Sequence, residues 1–155
     1  MRKIQQLSYR LATSEDAEWL ATMNKELIQD ERSDNSMALG ELVTRMYQFL
    51  TEGWNAAILL LDDEPIGYAL YLLRNNLYNN KIKEIYIRQY FIKREYRQQG
   101  IGKRGIELLE EELFPEHSTL VIDVLSVNES GYRFWEAIGF EPYYINMKKK
   151  SVDQY

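Results

Sequence analysis

One stretch, Tyr90 to Gly105 (YFIKREYRQQGIGKRG), holds the residue types best suited to binding an anion. Lys93, Arg94, Arg97, Lys103 and Arg104 fall within twelve residues that contain one acid, Glu95, in a chain of net charge −5. Gly100 and Gly102 carry no Cβ, so an anion can come close to the backbone there. The apolar run before this turn reads as a strand, and the residues after it as a helix. The first four N–H groups of a helix have no partner within it, and the helix dipole places partial positive charge at that end. The pattern fits a phosphate or pyrophosphate site. A loop of solvated basic side chains is the plainer reading of the same residues.

The strand that leads into the turn carries the other candidates. Strict alternation sets Glu84, Tyr86, Arg88 and Tyr90 on one face and Ile85, Ile87, Gln89 and Phe91 on the other. Glu84 is the one carboxylate on its face. It can act as a proton acceptor, or simply pair with a nearby Arg or Lys. Farther up the chain, Glu26, Asp30, Glu31 and Asp34 form an acidic stretch. It suits a cationic ligand, and it also suits a solvated loop.

Several chemistries are excluded. There is no cysteine, hence no disulfide, thiolate nucleophile or cysteine-held metal. His117 is the single histidine, so a multi-histidine metal site is impossible. The acidic balance argues against nucleic-acid binding. No apolar run reaches the length of a membrane span or a signal peptide, and a cytoplasmic protein is expected.

These residues need elements to position them. Residues 8–12 read as a first strand, and Thr13 or Ser14 starts a helix whose face is Ala17, Leu20, Ala21, Asn24, Leu27 and Ile28. After a polar loop over 29–36, Leu39, Leu42, Val43, Met46, Tyr47 and Leu50 mark a second helix, ended near Gly53. Residues 56–61 and 66–73 read as an antiparallel hairpin about an Asp62–Pro65 turn, and 82–92 as a long strand. A helix runs from the turn to Pro115, and residues 119–125 form a strand. Asn128 caps a short helix bearing Phe134, Trp135 and Ile138, and Gly139 ends it. Residues 140–147 read as a last strand, and the polar tail 148–155 is expected to lie outside the ordered domain. The whole chain, 1–155, reads as one α/β domain with a mixed sheet, its basic turn at the carboxyl end of a central strand, where open sheets bind ligands.

The residues now resemble a known family, the GNAT superfamily of acyl-coenzyme A-dependent N-acyltransferases. Its phosphate signature, Arg/Gln-x-x-Gly-x-Gly/Ala, stands here as Arg97-Gln98-Gln99-Gly100-Ile101-Gly102, and its second block as Asn128, Gly131, Phe134-Trp135 and Gly139-Phe140. The resemblance implies a mostly antiparallel central sheet flanked by about four helices, and acetyl-coenzyme A as co-substrate without a metal. It implies that the backbone from Gln98 to Lys103, Gln99 and Gly100 included, holds the pyrophosphate, with Arg97 and its basic neighbours on the remaining phosphates. Phe91 and Ile92 would meet the pantetheine arm where this strand splays from the strand of residues 119–125. Asn128 would bond the arm, cap its helix, or do both. Trp135, on the cofactor side, stands where the family often has a tyrosine that acts as acid; Tyr132 is the substitute, unless it is only a packing residue.

The implied activity is transfer of an acetyl group to a primary amine by direct attack in a ternary complex, with Glu84 as base through a water relay past Tyr86. Glu31, Tyr86, Arg88 and Tyr90 would line the acceptor site, with a small-molecule amine as partner. Two other readings stay open: a non-catalytic acyl-coenzyme A sensor or subunit, and an acetyltransferase of protein N-termini or lysines. The edge strands and residues 140–147 offer surfaces on which a homodimer could form.

Overall fold

Two aspartates fix the register of the sheet. Asp62 and Asp63 both take positive φ, 49° and 67°, the geometry of a tight two-residue hairpin turn that Asp tolerates. They join β2 (Asn55–Leu61) to β3 (Glu64–Asn75), with Leu61 opposite Glu64. Pro65, expected in the turn, lies instead in β3 beside a bulge, where the strand can spare an N–H. The computed structural model describes residues 5–151.

β1 (Leu7–Leu11) and β4 (Lys83–Ile92) complete an antiparallel run, and β5 (Thr119–Val121) adds in parallel to β4, giving the order β1-β2-β3-β4-β5. Four helices cover the mixed sheet: α1 (Ala17–Asp30), α2 (Leu39–Thr51), α3 (Ile101–Glu112) and α4 (Glu129–Ala137). α1 and α2 bury Leu20, Ala21, Leu27, Leu42 and Met46 against Ile58, Tyr68, Leu70 and Phe91. On the opposite face, Ile101, Ile106 and Leu109 of α3 pack on Leu59, Ala69, Ile85 and Ile87. The expected α1 face is buried except for the half-exposed Ile28. Gly53 and Gly139 end α2 and α4 at φ 96° and 109°, as glycine allows.

Three expectations are corrected. The strand over 119–125 stops at Val121: only Glu84–Tyr86 pair with Thr119–Val121, and beyond Tyr86 the two chains part. Residues 140–147 are not a strand; Tyr143, Ile145 and Met147 are 83–87% exposed, and Pro142 cannot donate to a ladder. Of the tail, residues 152–155 lie outside those described.

The third correction concerns the faces of β4. Leu70 pairs with Gln89 and Tyr71 with Ile87, so Arg88 is an extra residue, a β-bulge. The bulge resets the alternation. Gln89 and Phe91 join Tyr86 and Arg88 on the α1/α2 face, and Tyr90 turns to the face of α3 and α4. Strict period-2 counting placed Tyr90 with Arg88; one inserted residue moves it across the sheet.

Candidate active site

The parting of β4 and β5 opens a cleft of about 510 Å³, within the usual size of small-molecule sites. Its walls are the end of β4 (Tyr90, Phe91, Ile92), the start of α3, the first turns of α4, and Leu27, Asp30 and Glu31 at the end of α1.

The α3 wall has the features that suit an anion. Gln98 and Gly100 hold positive φ, 63° and 75°, and bend the chain so that α3 begins with its amides open. No side chain caps Gly100, the first turn has no acid, and the first intrahelical bond is Arg104 N–H to Gly100 O. The amides of Ile101, Gly102 and Lys103 therefore precede the ladder, at the positive end of the dipole. Gly102 is needed for packing as well: a Cβ there would lie 3.0 Å from the Phe134 ring.

The basic side chains divide. Arg97 donates from Nε to Ile92 O at 2.8 Å and from Nη2 to Asp30 at 2.6 Å, with its guanidinium over the Phe91 ring. Arg94 meets Asp30 at 3.0 Å and Glu26 at 3.8 Å. Arg97 thus ties the β4 end to α1 rather than standing free for a phosphate. Lys103, 62% exposed and only 3.9 Å from Glu107, keeps its charge available at the rim. Gln99 is exposed and reaches Glu95 O at 3.4 Å.

On the α4 wall, Asn128 Oδ1 accepts the Gly131 N–H at 3.0 Å, so its cap role is occupied, and the residue lines the cleft. Tyr90 links the walls: its hydroxyl donates to Gly102 O at 2.6 Å, and its ring packs on Phe134 and Trp135. Burial pushes the Tyr90 phenol far above its ordinary pKa. Trp135 lines the cleft, wedged between Tyr90, Phe134 and Phe140.

Glu31 is the titratable group that the cleft perturbs most usefully. Burial, then the neighbouring Asp30 charge, lifts its carboxyl from 4.5 to about 6. Burial, and then the field of Glu31, raises the Tyr68 phenol, whose hydroxyl donates to Gln89 Oε1 at 2.7 Å at the bulge. The polar interior beneath the cleft is completed by Asn24, which accepts from Arg45 Nη2 at 2.9 Å.

Glu84 lies elsewhere. It sits near the start of β4, five residues before Gln89, about 16 Å along the strand. Its carboxylate receives Arg74 Nε at 3.0 Å and the Asn76 amide. Tyr132 is also outside the cleft, half-exposed beside a smaller hollow of about 300 Å³ with Val124 and Leu125. Tyr86 and Arg88 share a face with an aromatic shelf: Tyr86 meets Trp54 edge-on and donates to Asp123 at 2.5 Å, and Arg88 lies over Phe49 and Trp54. Tyr86 is lifted to about 12, first by burial and then by Asp123.

Counting along the sequence missed Asp30 as the latch for Arg94 and Arg97. A signal existed: Asp30 ends α1 and Glu31 follows it, with no base in that last turn, where acids oppose the helix dipole and so call for a partner elsewhere. Asp123 and Gln89 had no such signal, because their partners come from distant segments.

The profile of the acetyltransferase (GNAT) family matches residues 15–140. No curated protein sequence matches significantly. Solved structures of similar fold include the aminoglycoside N-acetyltransferase AAC(6')-Iy in complex with coenzyme A (15% identity, TM-score 0.73, covering 98% of this chain and 99% of that one). Another is a ribosomal-protein-alanine N-acetyltransferase from Brucella melitensis biovar Abortus 2308 (16%, 0.73, 94% and 100%). A third is an aminoglycoside acetyltransferase from an uncultured soil metagenomic sample, in complex with sisomicin (13%, 0.69, 94% and 96%). With the profile spanning both the uncapped α3 turn and the Asn128 helix, this chain belongs to the acetyltransferase (GNAT) family.

Proposed function

We propose that this protein transfers an acetyl group from acetyl-coenzyme A to a primary amine, by direct attack within a ternary complex. One observation carries the reading. A single cleft joins an uncapped helix N-terminus, the free end of β4, Asn128 and the perturbed carboxylate of Glu31. A similar structure holds coenzyme A, and another an aminoglycoside amine, which supports both halves of the reaction.

When bound, acetyl-coenzyme A supplies an activated thioester. The amides of Ile101, Gly102 and Lys103 would hold its pyrophosphate, with Lys103 adding charge at the rim. The backbone of Tyr90 to Ile92 has no strand partner on the β5 side, although Ile92 O accepts from Arg97 Nε; it would bond the pantetheine arm in place of a missing strand, and Asn128 would bond the arm from the α4 wall. A backbone N–H there can also stabilise charge on the carbonyl oxygen under attack.

The amine must lose a proton to attack. Glu31 is placed to take it, directly or through water, because a carboxylate with a pKa about 6 is ionised at neutral pH and still basic enough to help. Glu84 is assigned a structural part with Arg74. No acid is assigned. Tyr90 is the phenol on the cleft lining, its hydroxyl is bound to Gly102 O, and a thiolate leaves without protonation. With no cysteine in the chain, an acyl-thioester enzyme cannot form.

The test is release of coenzyme A, read with a thiol reagent that a cysteine-free protein leaves silent, across a panel of primary amines. Amine-dependent release supports transfer. Tight binding of acetyl-coenzyme A with no release for any amine would replace it with the sensor reading.

A further inference from the structure

The acidic stretch that seemed suited to a cationic acceptor is largely spent. Asp30 and Glu26 are paired with Arg94 and Arg97, and Asp34 meets Lys148 at 3.6 Å. The arginines on the acceptor face are not spent in the same way. Arg74 is neutralised by Glu84, but Arg88 makes no ion pair among the described residues. Its guanidinium carbon lies 5.1 Å from the Phe49 centroid and 5.7 Å from that of Trp54. Arg45 lies over the same Phe49 ring at 5.5 Å and also lacks a carboxylate. Its Nη2 reaches Asn24, while its Nε is buried with no hydrogen-bond partner among the described residues.

Two guanidiniums sharing one ring, with an orphan buried N–H between α2 and the bulge, form an arrangement that repels itself. Burial and the neighbouring Arg88 lower the Arg45 pKa. A planar anion offsets that repulsion, because it accepts in-plane hydrogen bonds from a fork of N–H donors. Arg88 shares the α1/α2 face with Phe91, which lines the cleft three residues on, about 10 Å along the strand. Building on the transfer reading above, we propose that the acceptor is an amine that also carries a carboxylate, of amino-acid size, with its carboxylate held by Arg88 and Arg45 and its amine directed to Glu31.

The test uses matched acceptors that differ only in the carboxylate: L-lysine against cadaverine, L-phenylalanine against phenethylamine, and L-methionine against 3-(methylthio)propylamine. The expected result is at least a tenfold higher kcat/KM for one amino acid over its decarboxylated partner. Arg88→Gln should erase that preference while leaving acetyl-coenzyme A affinity unchanged, and Arg88→Lys should keep part of it. Preference for the decarboxylated amines, or a preference that survives Arg88→Gln, overturns the proposal. A second readout does not need turnover: calorimetric binding of N-acetyl-lysine and N-acetylphenylalanine to the coenzyme A-loaded protein. Arg88-dependent binding without turnover of any amine would sink the transfer reading and keep the carboxylate site. Failure of every carboxylate probe to bind, with amines turning over, would do the reverse.

Discussion

Gly105→Ala tests whether α3 sits against β4 as described. An added Cβ would stand 2.3 Å from the Tyr90 hydroxyl and 3.1 Å from Leu59 Cδ1, where ordinary contact begins near 3.4 Å. The shortfall at Tyr90 is 3.4 − 2.3, about 1.1 Å. Leu59 is fully buried, and Tyr90 is braced by Phe134 and Trp135. Either Tyr90 gives up its bond to Gly102 O, or α3 moves outward. Overpacking costs about 1–3 kcal/mol and a lost hydrogen bond about 1 kcal/mol, against about 1 kcal/mol gained from the helix preference of Ala over Gly. The net is about 2 kcal/mol of destabilisation, or roughly 4–8 °C in Tm for a chain of this size. Tyr90→Phe removes the clashing oxygen and leaves the ring carbon 3.5 Å away, an ordinary contact. In that background the remaining 3.1 Å contact with Leu59, at about 1 kcal/mol, offsets the helix gain, so Gly105→Ala should be neutral within about 0.5 kcal/mol, a coupling of about 2 kcal/mol in the double-mutant cycle. Thermal and urea unfolding of the four proteins measures it. Equal cost of Gly105→Ala in both backgrounds, or a stabilising effect in the parent, would refute the Tyr90–Gly102–Gly105 packing.

Other predictions concern charge and chemistry. The folded-state pKa of Glu31 lies above the ordinary 4.5, so the folded protein binds more protons between about pH 4.5 and 6, and stability falls as pH rises through that window. Glu31→Gln should thus raise stability at pH 7 by about 1 kcal/mol after screening at a partly exposed site, flatten that dependence, and remove the acidic limb of kcat/KM near pH 6. A wild-type pH–rate profile retained in this variant would exclude Glu31 as the base. Glu84→Gln should destabilise through Arg74 but leave the pH–rate profile in place; a lost limb would return the base role to Glu84. Arg97→Ala should cost stability and weaken acetyl-coenzyme A binding by loosening the β4 end, whereas Lys103→Ala should lower affinity and its salt dependence with no change in Tm. Trp135→Tyr should bring no gain in rate, and a gain would show that an acid had been missing.

Much of this was legible because periodicity and punctuation are local. The apolar faces of α1 and α2, the glycines that end helices and the turn before α3 follow from neighbours a few residues apart. The Arg97-x-x-Gly-x-Gly and Asn128 blocks gave the family for the same reason. The faces of β4 beyond Arg88 were not legible, because a bulge is set by the partner strand: Leu70 chooses Gln89, and Tyr90 crosses the sheet as a result. The contacts of Glu84 and Arg97 were not legible for a related reason. Their partners, Arg74 and Asn76 for one and Ile92 O and Asp30 for the other, are fixed by hairpin register and helix docking rather than by spacing. The segment 140–147 has strand-like composition, but composition supplies no edge to pair with.

On the proposed reading, the cleft between β4, α3 and α4 binds the whole of acetyl-coenzyme A. Calorimetric titration of acetyl-coenzyme A into the purified protein, with adenosine diphosphate as the control, tests it most directly. Saturable one-to-one binding that weakens with salt is expected, with much weaker binding of adenosine diphosphate, since the pantetheine contacts at Tyr90–Ile92 and Asn128 are then unused. Equal affinity for both would confine binding to the phosphate turn and contradict the role of the splayed strands. No binding of either would contradict the site itself.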